Sequence, residues 1–221
     1  MTASNSGEIS RLFSSRRKTR KMCPLRNLIV SPLGSEDKKA LLAIARNAIS
    51  LMLTQGRALE VVAPEGELAI WHGAFVTLRK RRRLCGCIGR LSSQDSLANV
   101  VAYSAAAAAT EDPRFLRLRA DELDEIEIEI SVLSELQTAR AEEVEVGLHG
   151  LVVSRNERRG VLLPQVAREH KWSRERFLDE TSRKAGLASD AWRDVETQIE
   201  IFTAETFSES DFSADDPKAG S

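Results

Sequence analysis

Cys87 stands in Gly86-Cys87-Ile88-Gly89, between glycines that let a backbone approach a ligand closely. A cysteine so placed can present its sulfur to a substrate carbonyl, provided a base draws off the thiol proton. Of the three histidines, His149 is the best candidate for that base, because Gly147-Leu148-His149-Gly150 also flanks it with small residues. Glu129 lies on the polar side of an alternating run and can orient the imidazole. Cys87, His149 and Glu129 together would suit acyl transfer or amide hydrolysis. Against this stand plainer readings: an inert buried thiol, glycines that mark a bulge, and a structural histidine. A cleft that binds without covalent chemistry lies between the two.

Other residues offer weaker chemistry. Arg114, in Asp112-Pro113-Arg114-Phe115, can hold an anion or pair with an acid to pin its loop, and pairing is the commoner fate. Cys85 and Cys87 are two apart, which on a regular strand puts both thiols on one face. With His149 they make an incomplete zinc set, since structural zinc usually takes four ligands with Cys-x₂-Cys spacing. No metal or other cofactor is expected. Arg79 to Arg83 are five consecutive cations that can grip phosphate or simply cover a solvated turn. Trp71, Trp172 and Trp192 read as core or lobe-interface anchors, while His72 and His170 are assigned no role.

These side chains need elements to position them. Ser35 before Glu36-Asp37 reads as a helix cap, and apolar residues from Leu41 to Met52 recur on one helical face until Gly56. Ala74–Leu78 and Leu84–Ile88 read as strands around the basic turn, and Asp95–Thr110, rich in alanine, as a helix ended before Pro113. Ile126, Ile128, Ile130 and Val132 alternate with Glu127, Glu129, Ser131 and Leu133, the clearest strand in the chain. Gly147–Val153 and Gly160–Leu163 suggest a hairpin, and Pro164 can open the next helix. Ser173 caps a helix running to Lys184, stopped by Gly186, and Gln198–Phe202 is a late strand. Interspersed helices and strands with short turns favour an α+β antiparallel architecture, with a larger lobe from both ends of the core and a smaller one from the middle.

The bulk composition bounds the class. The chain has 221 residues, 42% hydrophobic and 29% charged, which suits a globular protein of one domain. Thirty-two Lys+Arg against thirty-three Asp+Glu give no global charge to draw nucleic acid or a membrane surface. Three cysteines are too few for a disulfide framework, so the expectation is a reduced, cytoplasmic chain. Residues 1–34 are basic and 208–221 acidic, and both read as disordered tails around a domain at 35–207. The acidic, frayed character is expected to begin at about residue 205.

Six motifs in order carry a resemblance. Gly73-Ala74-Phe75-Val76-Thr77-Leu78 is followed by Leu84-Cys85-Gly86-Cys87-Ile88-Gly89; Ala106-Ala107 leads to Asp112-Pro113-Arg114-Phe115. Then come Glu129-Ile130-Ser131-Val132-Leu133, Gly147-Leu148-His149-Gly150-Leu151, Leu162-Leu163-Pro164-Gln165-Val166-Ala167, and Lys184-Ala185-Gly186-Leu187 with Trp192. Over about residues 35–207 the chain resembles the AMMECR family, also called AmmeMemoRadiSam system protein A. The resemblance implies a two-lobed α+β fold with an inter-lobe cleft lined by these motifs, Gly86, Gly89, Arg114 and Gln165 among them. It also implies action with a Memo-like protein and a radical-SAM protein, on a small anionic ligand or a modified protein segment. Two alternatives remain: a cysteine-dependent acyl or amide-group transferase or hydrolase using Cys87 and His149, and a non-catalytic interaction adaptor. Two positions depart from the family pattern: Cys85 stands where arginine is usual, and Ser182 where cysteine is usual. Each removes a group that an anion clamp or a cysteine pair would need.

Overall fold

The computed structural model describes residues 33–62, 64–70 and 72–212. Cys23, Trp71, the basic segment before residue 33 and the acidic end from 213 lie outside the described residues.

Helix α1 (Ser35–Gln55) buries Leu41, Leu42, Ala45, Ala48 and Ile49 on the face its periodicity marks, and Gly56 closes it in a left-handed conformation at φ 65°. Ser35 is the first helical residue and not the cap: Gly34 takes that place, and its carbonyl accepts the Lys38 N–H. Glu36 and Asp37 still meet the positive end of the helix dipole. Strands β1 (Ala74–Lys80) and β2 (Arg83–Arg90) extend well into the basic run. Only Arg81 and Arg82 form the turn, at φ 51° and 64°, left-handed values that glycine or asparagine would fill with less strain. Glu122 and Glu125 take Lys80, and Glu125 takes Arg81, so part of the cationic run is already paired.

Helix α2 (Leu97–Thr110), capped by the Ser96 side chain, lies against this hairpin. Its alanines allow close approach: a Cβ on Gly86 would stand 2.1 Å from the Ala108 carbonyl oxygen. Strand β3 (Ile126–Leu133) pairs with β1 and completes the alternation read in the sequence. Val76, Leu78, Ile128 and Ile130 are fully buried on the face turned to α1 and α2.

The chain then leaves this lobe to build a second sheet. Strands β4 (Gln137–Thr138), β5 (Gly150–Arg155), β6 (Arg158–Leu162) and β7 (Gln198–Phe202) lie in the order β4-β7-β5-β6. Helices α3 (Pro164–Glu169) and α4 (Arg174–Lys184) belong to the same lobe, with Phe177 and Leu178 fully buried against Leu151, Val153, Ile199 and Ile201. Ser173 caps α4, as read from the sequence.

After β7 the chain returns to the large sheet as β8 (Ala204–Ser208), giving the antiparallel order β2-β1-β3-β8. The frayed tail expected from residue 205 is therefore a strand through Ser208, followed by a turn. Phe207 is 4% exposed in the large core, and the Glu209 carboxylate takes Nε and Nη2 of Arg46, both at 2.6 Å. Acidic composition hid two anchors, one apolar and one ionic. The α+β architecture, with the larger lobe from both ends and the smaller from the middle, matches the sequence reading. Leu133, Val152 and Phe202, with Phe75 and Leu91 against them, form the apolar joint between the lobes. Among the described residues no helix is long and apolar enough to cross a membrane.

Candidate functional site

Cys87 is half-buried on β2, opposite Thr77 of β1, which in turn stands opposite Glu129 of β3. The three side chains therefore share one row on the face away from α1 and α2. Thr77 Oγ1 donates to Cys87 Sγ at 3.4 Å. Because β2 is an edge strand, the outward backbone groups of Cys87 need partners other than a strand. The loop after α2 supplies them. Asp112 Oδ2 accepts the Cys87 N–H at 2.8 Å, and Arg114 Nη2 donates to the Cys87 carbonyl at 3.0 Å.

Asp112 and Arg114 form one unit. Nε of Arg114 reaches Asp112 Oδ1 at 2.9 Å and Nη2 reaches Oδ2 at 2.7 Å, a forked pair. The Asp112 side chain is only 2% exposed. Its bond to the guanidinium outweighs burial and, with the N–H groups of Cys87 and Arg114, holds its pKa down to about 2. Of the two fates read for Arg114, the structure shows the pairing: it pins its loop to Asp112, beside Cys87.

Lys184, the last residue of α4, brings a second cation from the other lobe. The residue is exposed, yet partial desolvation of the ammonium pushes its pKa down; Arg114 lowers it further, and Cys87 acts in the opposite sense. Ser182, where the family pattern has cysteine, is fully buried and gives its hydroxyl to the Leu178 carbonyl at 2.9 Å.

The remaining candidates fall in different places. Burial raises the pKa of Glu129; Glu127, Glu169 and Asp211 add to the rise and Arg79 opposes it. Glu169 ends α3, so this face of the large sheet looks toward the small lobe. His149 is 7% exposed, and its Nδ1 accepts the Glu145 N–H at 3.0 Å while its own N–H goes to the Glu145 carbonyl at 2.9 Å. Burial pushes its pKa down, against the pull of the Glu145 charge. Among the described residues no hydrogen bond joins His149 to Cys87 or Glu129. The Phe75 ring covers Gly89, Gly86 faces α2, and Gln165 lies half-buried in the first turn of α3.

Cys85 departs from the expectation that it shares a face with Cys87. The β1–β2 register slips at Leu78/Arg79, leaving Cys85 as the extra residue of a bulge. The slip turns its thiol to the large core, where it donates to the Leu78 carbonyl at 3.3 Å and burial raises its pKa. Cavities of about 670 and 550 Å³ lie in the small lobe, around Thr138–Glu142 with Trp192–Ile199 and around Arg155–Arg158. Neither is lined by Cys87, Arg114 or Lys184.

Asp112, Thr77 and Lys184 escaped the sequence reading as site residues, although all three lie in the quoted motifs. An acid two residues before Arg114 was a usable signal. Nothing local marked Lys184, whose charge acts with Arg114 and Cys87 only across the lobes.

Comparison with known proteins agrees with this architecture. A protein of Methanothermobacter thermautotrophicus is 38% identical over 189 residues, covering 81% of this chain and 97% of that one. A protein of Thermococcus gammatolerans is 40% identical over 183 residues, covering 76% and 88%. The crystal structure of an uncharacterised protein from Pyrococcus horikoshii superposes with a TM-score of 0.72 at 36% identity, over 77% of this chain and 90% of that one. The sequence profile of AMMECR1 matches residues 42–207, and with these relatives it shows that the chain belongs to the AMMECR1 family.

Proposed function

We propose that this protein is a binding component of the AmmeMemoRadiSam type, which takes a small anionic ligand, or the anionic end of a modified protein segment, beside Cys87 between the two lobes. The observation that carries this reading is the charge balance there. Asp112 neutralises Arg114, whereas among the described residues no carboxylate pairs with Lys184. Lys184 and Arg114 are both exposed, and the unpaired Lys184 charge leaves a positive field beside Cys87 that a small anion can meet. In this reading the Memo-like and radical-SAM partners supply or consume the bound group.

The test is a panel of small carboxylates, phosphate and sulfate, scored by thermal shift and calorimetry on the parent, Arg114→Gln and Lys184→Met. An anion should stabilise the parent and bind both variants more weakly. Equal responses in all three proteins, or a parent that answers to none, would overturn the reading.

The placement of Cys87 favours a second reading, in which its thiol is the nucleophile of an acyl or amide-group transfer. Two cations lie within electrostatic reach of this sulfur, and Thr77 donates to it. That reading expects Cys87 to be alkylated fast near neutral pH in the folded protein. A Cys87 that reacts only after unfolding would sink it.

A further inference from the structure

We infer that the basic tip of the β1–β2 hairpin docks a short acidic protein segment, held by Arg82, Arg83 and the open end of β2. This surface starts about four residues along β2 from Cys87, roughly 13 Å at ~3.3 Å per residue, and goes beyond the anion site proposed above.

The tip sets aside three local preferences. Arg81 and Arg82 both hold left-handed backbone, at φ 51° and 64°, in a two-residue turn that favours Asn-Gly. Lys80 and Arg83 are direct cross-strand partners, and like charges so opposed repel. Replacing the arginines would remove each conflict, so the needs of the fold do not account for them. Residues that work against their local structure are expected where a function requires them.

The neighbouring carboxylates leave two of these cations over. Glu122 takes Lys80 at 2.7 Å, and Glu125 takes Lys80 and Arg81, each at 3.3 Å. Among the described residues no carboxylate pairs with Arg82 or Arg83, and Arg81 to Leu84 are all exposed. The guanidinium fork matches the two oxygens of a carboxylate.

The strand beside them is open. Asp112 and Arg114 brace the outer edge of β2 at Cys87. Among the described residues no group outside the hairpin bonds to the backbone of Arg83 or Leu84. An extended peptide can add to such an edge, with an apolar side chain on Leu84, which is 38% exposed. Edge charges deter strands at large, and an acidic one is the kind these charges attract. The occupant is short. Glu122 and Glu125 flank the tip, Glu127 stands opposite Arg79, and the chain carries a net charge of −1. A long polyanion following the surface beyond the tip would meet those carboxylates, whereas a segment of a few residues would not.

Fluorescence anisotropy on the full chain tests this with a labelled Glu-Val-Glu-Val-Glu peptide, its Gln-Val-Gln-Val-Gln counterpart and a short single strand of thymidine nucleotides. The Glu peptide should bind more tightly than either control, and its binding should weaken as salt rises from about 50 to 300 mM. Arg82→Gly combined with Arg83→Gln should weaken it about fivefold, as the loss of two exposed pairs would. The same variant should melt at or above the parent, because glycine relaxes the turn and the opposed charges are gone. Equal binding of the two peptides, or no binding of the Glu peptide by about 1 mM, would overturn the inference. So would tighter binding of the nucleotide strand, which would make the tip a nucleic-acid surface. A variant that melts below the parent would also overturn it, since the arginines would then serve the fold.

Discussion

Two short motifs look alike in this chain and are used differently. Gly86-Cys87-Ile88-Gly89 and Gly147-Leu148-His149-Gly150 each set one reactive residue among glycines. At the first, the backbone is held by Asp112 and Arg114, and the half-buried side chain shares a row with Thr77 and Glu129, in the electrostatic field of Lys184. At the second, the side chain itself does the holding, since His149 Nδ1 takes the N–H of its own turn. A residue whose backbone is braced by others keeps its side chain for a ligand. A residue that braces its own loop has spent its side chain. Flanking glycines alone do not tell the two cases apart.

The contrast can be broken by experiment. The largest effect should come from Gly86→Ala, which thrusts a Cβ to 2.1 Å from the Ala108 carbonyl oxygen and so displaces α2 or β2. We expect a loss of about 3 kcal/mol and a melting temperature lower by roughly 6–12 °C, read by calorimetry. A neutral result would show that α2 does not set the position of Cys87.

Asp112→Asn comes next. It leaves the Cys87 N–H and the guanidinium without their charged acceptor, at a cost of about 2 kcal/mol in denaturant unfolding. The Asp112 pKa is lowered on folding, so its contribution is complete above the unfolded carboxylate range and is lost as pH falls toward about 2. The variant should lack that part of the acid transition.

His149→Ala should cost about 1–2 kcal/mol by exposing an unpaired N–H at Glu145. Cys87 alkylation should keep the parent's rate, and slower alkylation would join the two motifs into one site. The lowered His149 pKa means that the folded state resists protonation, so the parent loses stability as pH drops below the ordinary imidazole range. The variant's profile should be flatter there.

Glu129→Gln should have the smallest effect and the opposite sign. Burial raises the Glu129 pKa, so folding holds this proton more tightly and the charged form is penalised above that range. The variant should melt slightly higher than the parent at pH 8, with the gain gone near pH 4. An equal shift at both pH values would mean that the charge at this position carries no penalty.

Much of the fold was legible in single segments. The Ile126–Leu133 strand, the Ser173-capped helix and the Gln198–Phe202 strand have the bounds their patterns indicate, because each is specified by alternation or by a local cap. The failures came where one residue answered to a distant partner. The segment from residue 205 reads as a tail until β3 pairs with Ala204–Ser208 and Arg46 takes Glu209. Cys85 shares a face with Cys87 until a bulge opposite Leu78 changes the parity of the strand.

The sequence by itself determined the α+β class, the helix periodicities, the order of the motifs and the presence of a glycine-flanked thiol. Those properties depend on neighbours within a turn or two of chain, where periodicity and capping act. Tertiary structure alone decided that Asp112 and Arg114 close the free edge of β2, that His149 is engaged with its own turn, and that the Lys184 charge acts on Cys87 from the other lobe. Each of these depends on a strand edge, a burial or a charge field that exists only after the chain has crossed between the lobes and returned.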